Sequence, residues 1–317
     1  MNYLITGGCG FIGCNFIRRL FAEDADVHVT NIDKLTYAGS EENLADIAAT
    51  AADRYRFIKA DIGDATTVEE IIAGGKFDIL INFAAESHVD RSITSPADFV
   101  SANIVGTANL LQSAREHEIP RYVQISTDEV YGSLGDTGYF TEETPIAPSS
   151  PYSASKASAD LLVLAAFHTY GQDVVVTRCS NNYGPYQFPE KLIPLMITKA
   201  LAGEKLPVYG DGQNVRDWIH VDDHCAGIAI AAATGKPGEV YNFGGNNEHK
   251  NLDLVKALLK SLGKSNDLIE FVKDRPGHDQ RYAIDASKAR NELGWIPTWN
   301  FEAGLQQTVD WYRSRVE

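Results

Sequence analysis

The first twenty residues limit the fold more than any others. A short apolar run, NYLIT, passes into TGGCGFIG, and Ile12, Phe16, Ile17 and Leu20 then recur at helical spacing. Gly7, Gly10 and Gly13 therefore lie between a buried strand and a helix. Glycines there allow a tight turn and a close approach of backbone to a ligand. The helix start behind them offers free amides and the positive end of a dipole, which suits an anion. A strand, a three-glycine loop and a helix in that order make a cradle for a dinucleotide pyrophosphate. Asp33 closes the second apolar run, DVHVTNID, about 20 residues past the loop, where an acidic side chain meets a ribose 2′-hydroxyl. The same carboxylate repels a 2′-phosphate. NAD is therefore favoured over NADP, although Lys34 beside it counts the other way. Asp61, near the end of YRFIKADI, is placed to hold the adenine edge.

The alternation continues. FDILINFAA, RYVQIST and DVVVTRCS read as buried strands, and NIVGTANLLQSARE as a helix between them. Strands alternating with helices imply a parallel sheet covered on both faces. The expected fold is α/β: a Rossmann-type doubly wound parallel sheet with a smaller α/β C-terminal substrate lobe. Beyond Asn182 the texture changes. NYGPYQFPEKLIP reads as an ordered loop into a helix, KLPVYGDGQNVRDWIHVDD as two short strands around a glycine turn, and FEAGLQQTVDWYRSR as an amphipathic helix. The expected division places 1–181, with a returning segment at about 218–246, in the nucleotide domain. Residues 182–217 and 247–317 make the substrate lobe.

A net charge of -15 argues against nucleic acid or an anionic membrane as partner. Any phosphate-bearing ligand must be met by local arginines, lysines and helix N-termini. The four cysteines, Cys9, Cys14, Cys179 and Cys225, form no CxxC pair and read as reduced thiols. The chain opens on a strand without a basic leader, and no apolar run is long enough for a bilayer. A cytoplasmic protein is expected.

Two further stretches carry chemistry. PYSASKASADLL puts Tyr152 and Lys156 one helical turn apart, after Pro151 at a helix start. An ammonium near a phenol lowers its pKa, which makes a base for an alcohol proton while hydride leaves for nicotinamide. STDEVYGS puts Thr127, Asp128 and Glu129 at a strand end. Thr127 can bond the same substrate oxygen, and adjacent carboxylates with split pKa values can serve as acid and base together. HVDDH has metal-ligand spacing at His220 and His224, but Asp222 or Asp223 reads better as a helix N-cap, and no metal is expected.

These motifs, with NIDKLTYAGS, NFAAESHVDRS, TRCSNNYGPYQFPEKLIP and DRPGHDQRYAID, cover most of the chain in order. They resemble the extended short-chain dehydrogenase/reductases, and within them the dTDP-glucose 4,6-dehydratases. The resemblance implies NAD-dependent oxidation at C4, loss of water across C5 and C6, and return of hydride to C6. The 4-keto-6-deoxy product feeds rhamnose and other deoxysugars. Tyr152 would take the C4 hydroxyl proton and Glu129 the C5 proton; Asp128 would protonate the departing C6 hydroxyl. The order of these two carboxylates follows the family, not the residues themselves. The resemblance also implies cofactor contacts from Phe11, Ile12, Lys34, Leu35, Thr36, Ile62, Phe83, Ala84, Ala85, Ser87 and Asn182. Substrate contacts would come from Ser87, His88, Asn181, Glu190, Lys191, Leu192, Pro207, Tyr209, Arg216, Asn251, Arg275 and His278. A homodimer through a four-helix bundle is implied, built from NIVGTANLLQSARE and the helix that starts near Tyr152. One position departs from the family: Ala102 stands where a threonine usually contacts the cofactor. The rival readings are a UDP-sugar dehydratase or decarboxylase, a 4-epimerase, and a non-catalytic NAD-binding scaffold. Epimerases lack the Asp-Glu pair, and a scaffold needs none of the five catalytic candidates. No residue decides between thymine and uracil.

Overall fold

The computed structural model describes residues 1–274 and 278–316. Its strands are β1 (Asn2–Thr6), β2 (His28–Asp33), β3 (Tyr55–Lys59), β4 (Ile79–Asn82), β5 (Arg121–Thr127), β6 (Val174–Cys179), β7 (Asn181–Tyr183), β8 (Leu206–Tyr209), β9 (Val215–His220), β10 (Val240–Phe243), β11 (Glu248–Lys250) and β12 (Ile269–Val272). Seven of them form a parallel sheet in the order β10-β6-β5-β4-β1-β2-β3. The apolar runs of β4 and β6 are buried along their whole length, as a sheet covered on both faces requires. The order reverses between β1 and β4, which opens a crevice at the strand ends there.

One face is covered by the helices Phe11–Glu23 and Val221–Thr234 over Ile5, Phe16, Ile17, Val29 and Ile228. The helices Ala65–Ala73, Gly106–Glu116 and Pro151–Tyr170 cover the other, over Leu4, Ile72, Leu80, Leu110 and Val163. A second cluster, with Met196, Leu254, Leu258 and Leu305, joins the helices Leu192–Ala202, Asn251–Leu262 and Phe301–Val316. Among the described residues no helix is long and apolar enough to cross a membrane.

Three local features differ from the sequence reading. The segment around Asn103 is not uniform α-helix: Val100–Val105 is a π-helical stretch before Gly106–Glu116. Asn103 bonds both the amide and the carbonyl of Glu86 and reaches Ser155 Oγ at 2.8 Å, and such widened turns gather at functional sites. The strands β8 and β9 flank a glycine turn but do not pair with each other; β8 pairs with β12, and β9 with β7 and β11. The N-cap of Val221–Thr234 is His220, not an aspartate. Asp223 instead accepts from the amides of Thr298 and Trp299 and ties down the chain before the last helix.

Candidate active site

A cleft of about 590 Å³ runs along the C-terminal ends of the central strands and ends against Gln187–Leu192 and Trp218. The glycine loop lies at one end. Gly7 has φ +71°, and a Cβ there would lie 2.5 Å from the Ala84 nitrogen. A Cβ on Gly13 would collide with the Gly7 carbonyl oxygen. Gly10 precedes the helix Phe11–Glu23 with no side chain over its amides. A bare backbone against an uncapped helix start fits the pyrophosphate of a dinucleotide. Gly7→Ala is expected to lower the melting temperature and strip the bound dinucleotide, since a strained positive φ alone costs about 1–3 kcal/mol. Thermal melting and the nucleotide content of purified protein check this; unchanged values for both count against the cradle.

Asp33 is buried at the end of β2. It accepts from the Cys9 amide at 2.9 Å and the Leu35 amide at 2.8 Å, and burial raises its pKa above the usual carboxylate value. Leu35 gives that amide, from φ +55°, and does not line the cleft. Lys34 and Asp61 both line it, but as an ion pair 2.6 Å apart. Phe11, Ile12, Thr36, Ile62, Phe83, Ala84, Ala85, Ser87 and Asn182 line it as well, as does Ala102.

Thr127 ends β5. Its hydroxyl accepts from the Glu129 amide at 3.3 Å and so begins one turn of 3-10 helix, Asp128–Tyr131. The turn swings Asp128 inward, where it is 2% exposed. Among the described residues its Oδ2 has no hydrogen-bond partner, and Thr127 donates to Oδ1 at 3.4 Å. Burial, then the charges of Glu129 and Asp217, push its pKa well above the usual carboxylate value. Burial and the neighbouring charges therefore favour the neutral form of Asp128. Stability follows from that. As pH rises past the ordinary carboxylate pKa, the unfolded chain loses this proton while the folded chain keeps it. Asp128 thus makes stability fall with rising pH until its own raised pKa is passed. Asp128→Asn cannot titrate, so its melting temperature relative to the parent is expected to rise from about pH 4 to about pH 8. A constant difference across that range counts against a protonated Asp128.

Tyr152 and Lys156 sit on the helix Pro151–Tyr170, whose start is fixed by Pro151 and by a reciprocal bond between Ser150 and Ser153. Both face the end of β5 and line the cleft. Lys156 donates to the Ile125 carbonyl at 2.7 Å, and burial lowers its pKa. The Tyr152 phenol is pushed well above its ordinary value by burial, then by Glu129 and Cys179. This differs from the expected depression by Lys156, because desolvation and the nearby carboxylate outweigh an ammonium already bonded to backbone.

Asn181, Glu190, Lys191 and Leu192 line the far end of the cleft. Lys191 donates to the Ser87 carbonyl at 2.8 Å, and His88 Nε2 lies 3.5 Å from Glu190. His88 does not line the cleft; it caps the helix Val89–Thr94 by accepting from the Arg91 amide. Pro207, Tyr209, Arg216, Asn251 and His278 lie outside its lining too. Pro207 and Tyr209 lie on β8, and the Tyr209 hydroxyl reaches Asp90 at 3.4 Å. Asn251 opens the helix Asn251–Leu262. His278 bonds Asp274 at 2.6 Å. Arg216 is buried, donates to the carbonyls of Val215 and Asp279, and stacks on Tyr282. Arg275 lies outside the described residues. His220 pairs with Gln307 and His224 with Asn182, so the two histidines of HVDDH serve separate contacts. Glu86, Cys179, Ser180, Phe188 and Trp218 also line the cleft and were missed. The end of β6 was the available signal for Cys179 and Ser180, since ligands sit beyond the carboxyl ends of such strands.

The family model described as GDP-mannose 4,6 dehydratase matches residues 4–308. The dTDP-glucose 4,6-dehydratase of Xanthomonas campestris pv. campestris (strain B100) is 53% identical, over 98% of this chain and 93% of its own. The solved dTDP-glucose 4,6-dehydratase of Streptomyces venezuelae, with NAD bound, is 50% identical with a TM-score of 0.95, over 99% of this chain and 97% of its own. A UDP-glucose 4-epimerase of Thermotoga maritima, with UDP-glucose, reaches a TM-score of 0.93 at 29% identity, over 100% of both chains.

Proposed function

The chain belongs to the dTDP-glucose 4,6-dehydratases, within the nucleotide-sugar dehydratase family, and from that membership and the cleft we infer the reaction and its residues. It is an NAD-dependent lyase that converts dTDP-glucose to dTDP-4-keto-6-deoxyglucose in deoxysugar biosynthesis. Bound NAD supplies the hydride acceptor for C4 and the donor for C6. Tyr152, whose phenol burial and Glu129 keep neutral, must first ionise to take the C4 hydroxyl proton, while Thr127 orients that oxygen. Lys156, one turn away, offsets the charge of the phenolate. The C4 ketone acidifies C5, and Glu129 removes its proton and gives one back to C5 when hydride reaches C6. Asp128 gives its proton to the C6 hydroxyl, which leaves as water.

The observation that carries this reading is the burial of Asp128 directly beside Glu129 at the end of β5, where desolvation favours its neutral form. Fold alone decides nothing, since an epimerase overlays almost as well. Epimerisation at C4 makes no demand for an acid at C6, and a scaffold makes none for either carboxylate. Incubation with dTDP-glucose and no added NAD, followed by mass spectrometry, tests it. Loss of one water is expected. An unchanged mass even with added NAD overturns it, and UDP-glucose in parallel measures the base preference.

Residues 1–181 with about 218–246 would hold NAD, and 182–217 with 247–317 the nucleotide sugar; Glu190 and Lys191 in the cleft favour this. The four free, buried cysteines suit a reducing cytoplasm. A product route toward rhamnose fits the same chemistry. The chain would pair with itself through NIVGTANLLQSARE and the helix Pro151–Tyr170, whose Val105, Leu161 and Leu162 are exposed apolar residues. Leu161→Glu is expected to shift the mass in light scattering from dimer to monomer. A parent that is already monomeric refutes the bundle.

A further inference from the structure

Arg178 on β6 and Asp160 on the helix Pro151–Tyr170 form an ion pair with both side chains buried, 2% and 0% exposed. Nε of Arg178 donates to Asp160 Oδ2 at 2.9 Å. Neither residue lines the cleft, and the reaction above uses neither. Burying two charges is costly, and such a pair often adds nothing that apolar residues of equal volume would not. Its position suggests another purpose. Asp160 lies one helical turn beyond Lys156 and two beyond Tyr152. The same guanidinium lies 4.8 Å from the ring centre of Tyr131. Tyr131 is the last residue of the turn that begins with Asp128 and Glu129. Its ring stacks on Phe140, and its hydroxyl donates to Asn242 on β10 at 2.9 Å. One planar group therefore touches both elements that carry the chemistry.

We propose that Arg178 is a positioning residue that fixes the turn bearing Asp128 and Glu129 against the helix bearing Tyr152 and Lys156. This rests on the dehydratase reading. The C4 base and the C5/C6 acid-base pair must face one sugar, yet they come from different elements. An error of about 1 Å in such placement can slow a step about 100-fold. Lysine cannot replace the arginine here, because a compact ammonium cannot bond Asp160 and also lay a planar face over Tyr131.

Two variants test this. Arg178→Lys keeps the charge beside Asp160 and loses the planar face. The double variant Asp160→Asn, Arg178→Met removes both charges and guards against a folding failure from an unpaired aspartate. Each is compared with the parent for melting temperature, NAD content, reduced-nicotinamide absorbance, deuterium uptake at C5 from heavy water, and product formation. Both are expected to fold, retain NAD and oxidise C4 near the parent rate. Deuterium uptake at C5 and product formation should fall about 10- to 100-fold, with KM little changed. Product and exchange at parent rates overturn the proposal. So does a parallel loss of oxidation, exchange and melting temperature, or failure of both variants to fold, since the pair is then merely structural. A parent that does not dehydrate dTDP-glucose refutes the functional reading instead.

Discussion

Glu129→Gln leaves C4 oxidation working and stops the reaction there. The glutamine amide has nearly the shape of the carboxylate but cannot take a proton at neutral pH. The substituted side chain sits one residue past Asp128 on a turn held by the bond from the Glu129 amide to the Thr127 hydroxyl, which does not involve the carboxylate. The turn should therefore survive. Dehydration is expected to slow by about 10²–10⁴-fold, the usual contribution of a general base. Reduced nicotinamide should appear on mixing with dTDP-glucose and persist, and deuterium from heavy water should not enter C5. Removing the Glu129 charge should also lower the pKa of Tyr152 and of Asp128, because it is a raising influence on both. The oxidation step of the variant should then reach its half-maximal rate at lower pH than in the parent. Product at the parent rate would exclude Glu129 as the C5 base.

The glycine loop, the strand end at Asp33 and the placement of Tyr152 and Lys156 one turn apart were legible because each rests on local geometry. A positive φ at Gly7, a strand end at Asp33 and one helical turn are all set within a few residues. The strands β7 and β11, of three residues each, were not legible, since hydrophobic periodicity needs more length than that. Nor was the pairing of β8 with β12, whose residues lie 63 positions apart in register, Leu206 opposite Ile269. Long-range contacts also bring together residues far apart in the sequence. Lys34 and Asp61 lie on neighbouring strand ends and meet each other. Asp223 was read as a local cap but serves the chain near Thr298. The sign of the Tyr152 shift depended on burial and on Lys156 being held by Ile125, and neither is written in the spacing Tyr-x-x-x-Lys.

Tyr152→Phe should block the reaction one step earlier than Glu129→Gln, and the contrast orders the two groups. The ring is buried against Phe99, with centroids 6.3 Å apart, so phenylalanine keeps the packing and only the hydroxyl is lost. Lys156 cannot take its place, because its ammonium is bonded to the Ile125 carbonyl. The expected loss is about 10²–10⁴-fold in kcat, with little change in KM. No reduced nicotinamide should accumulate and no deuterium should enter C5, because C5 is acidified only after C4 is oxidised. The double variant Tyr152→Phe, Glu129→Gln should be no slower than Tyr152→Phe alone, since the second step is never reached. Melting temperature should hold or rise, as a buried hydroxyl beside two carboxylates is removed. If Tyr152→Phe instead accumulates reduced nicotinamide, the phenol acts after oxidation. Glu129 or a water would then have to take the C4 proton, and the division of labour between the helix and the turn would be reversed.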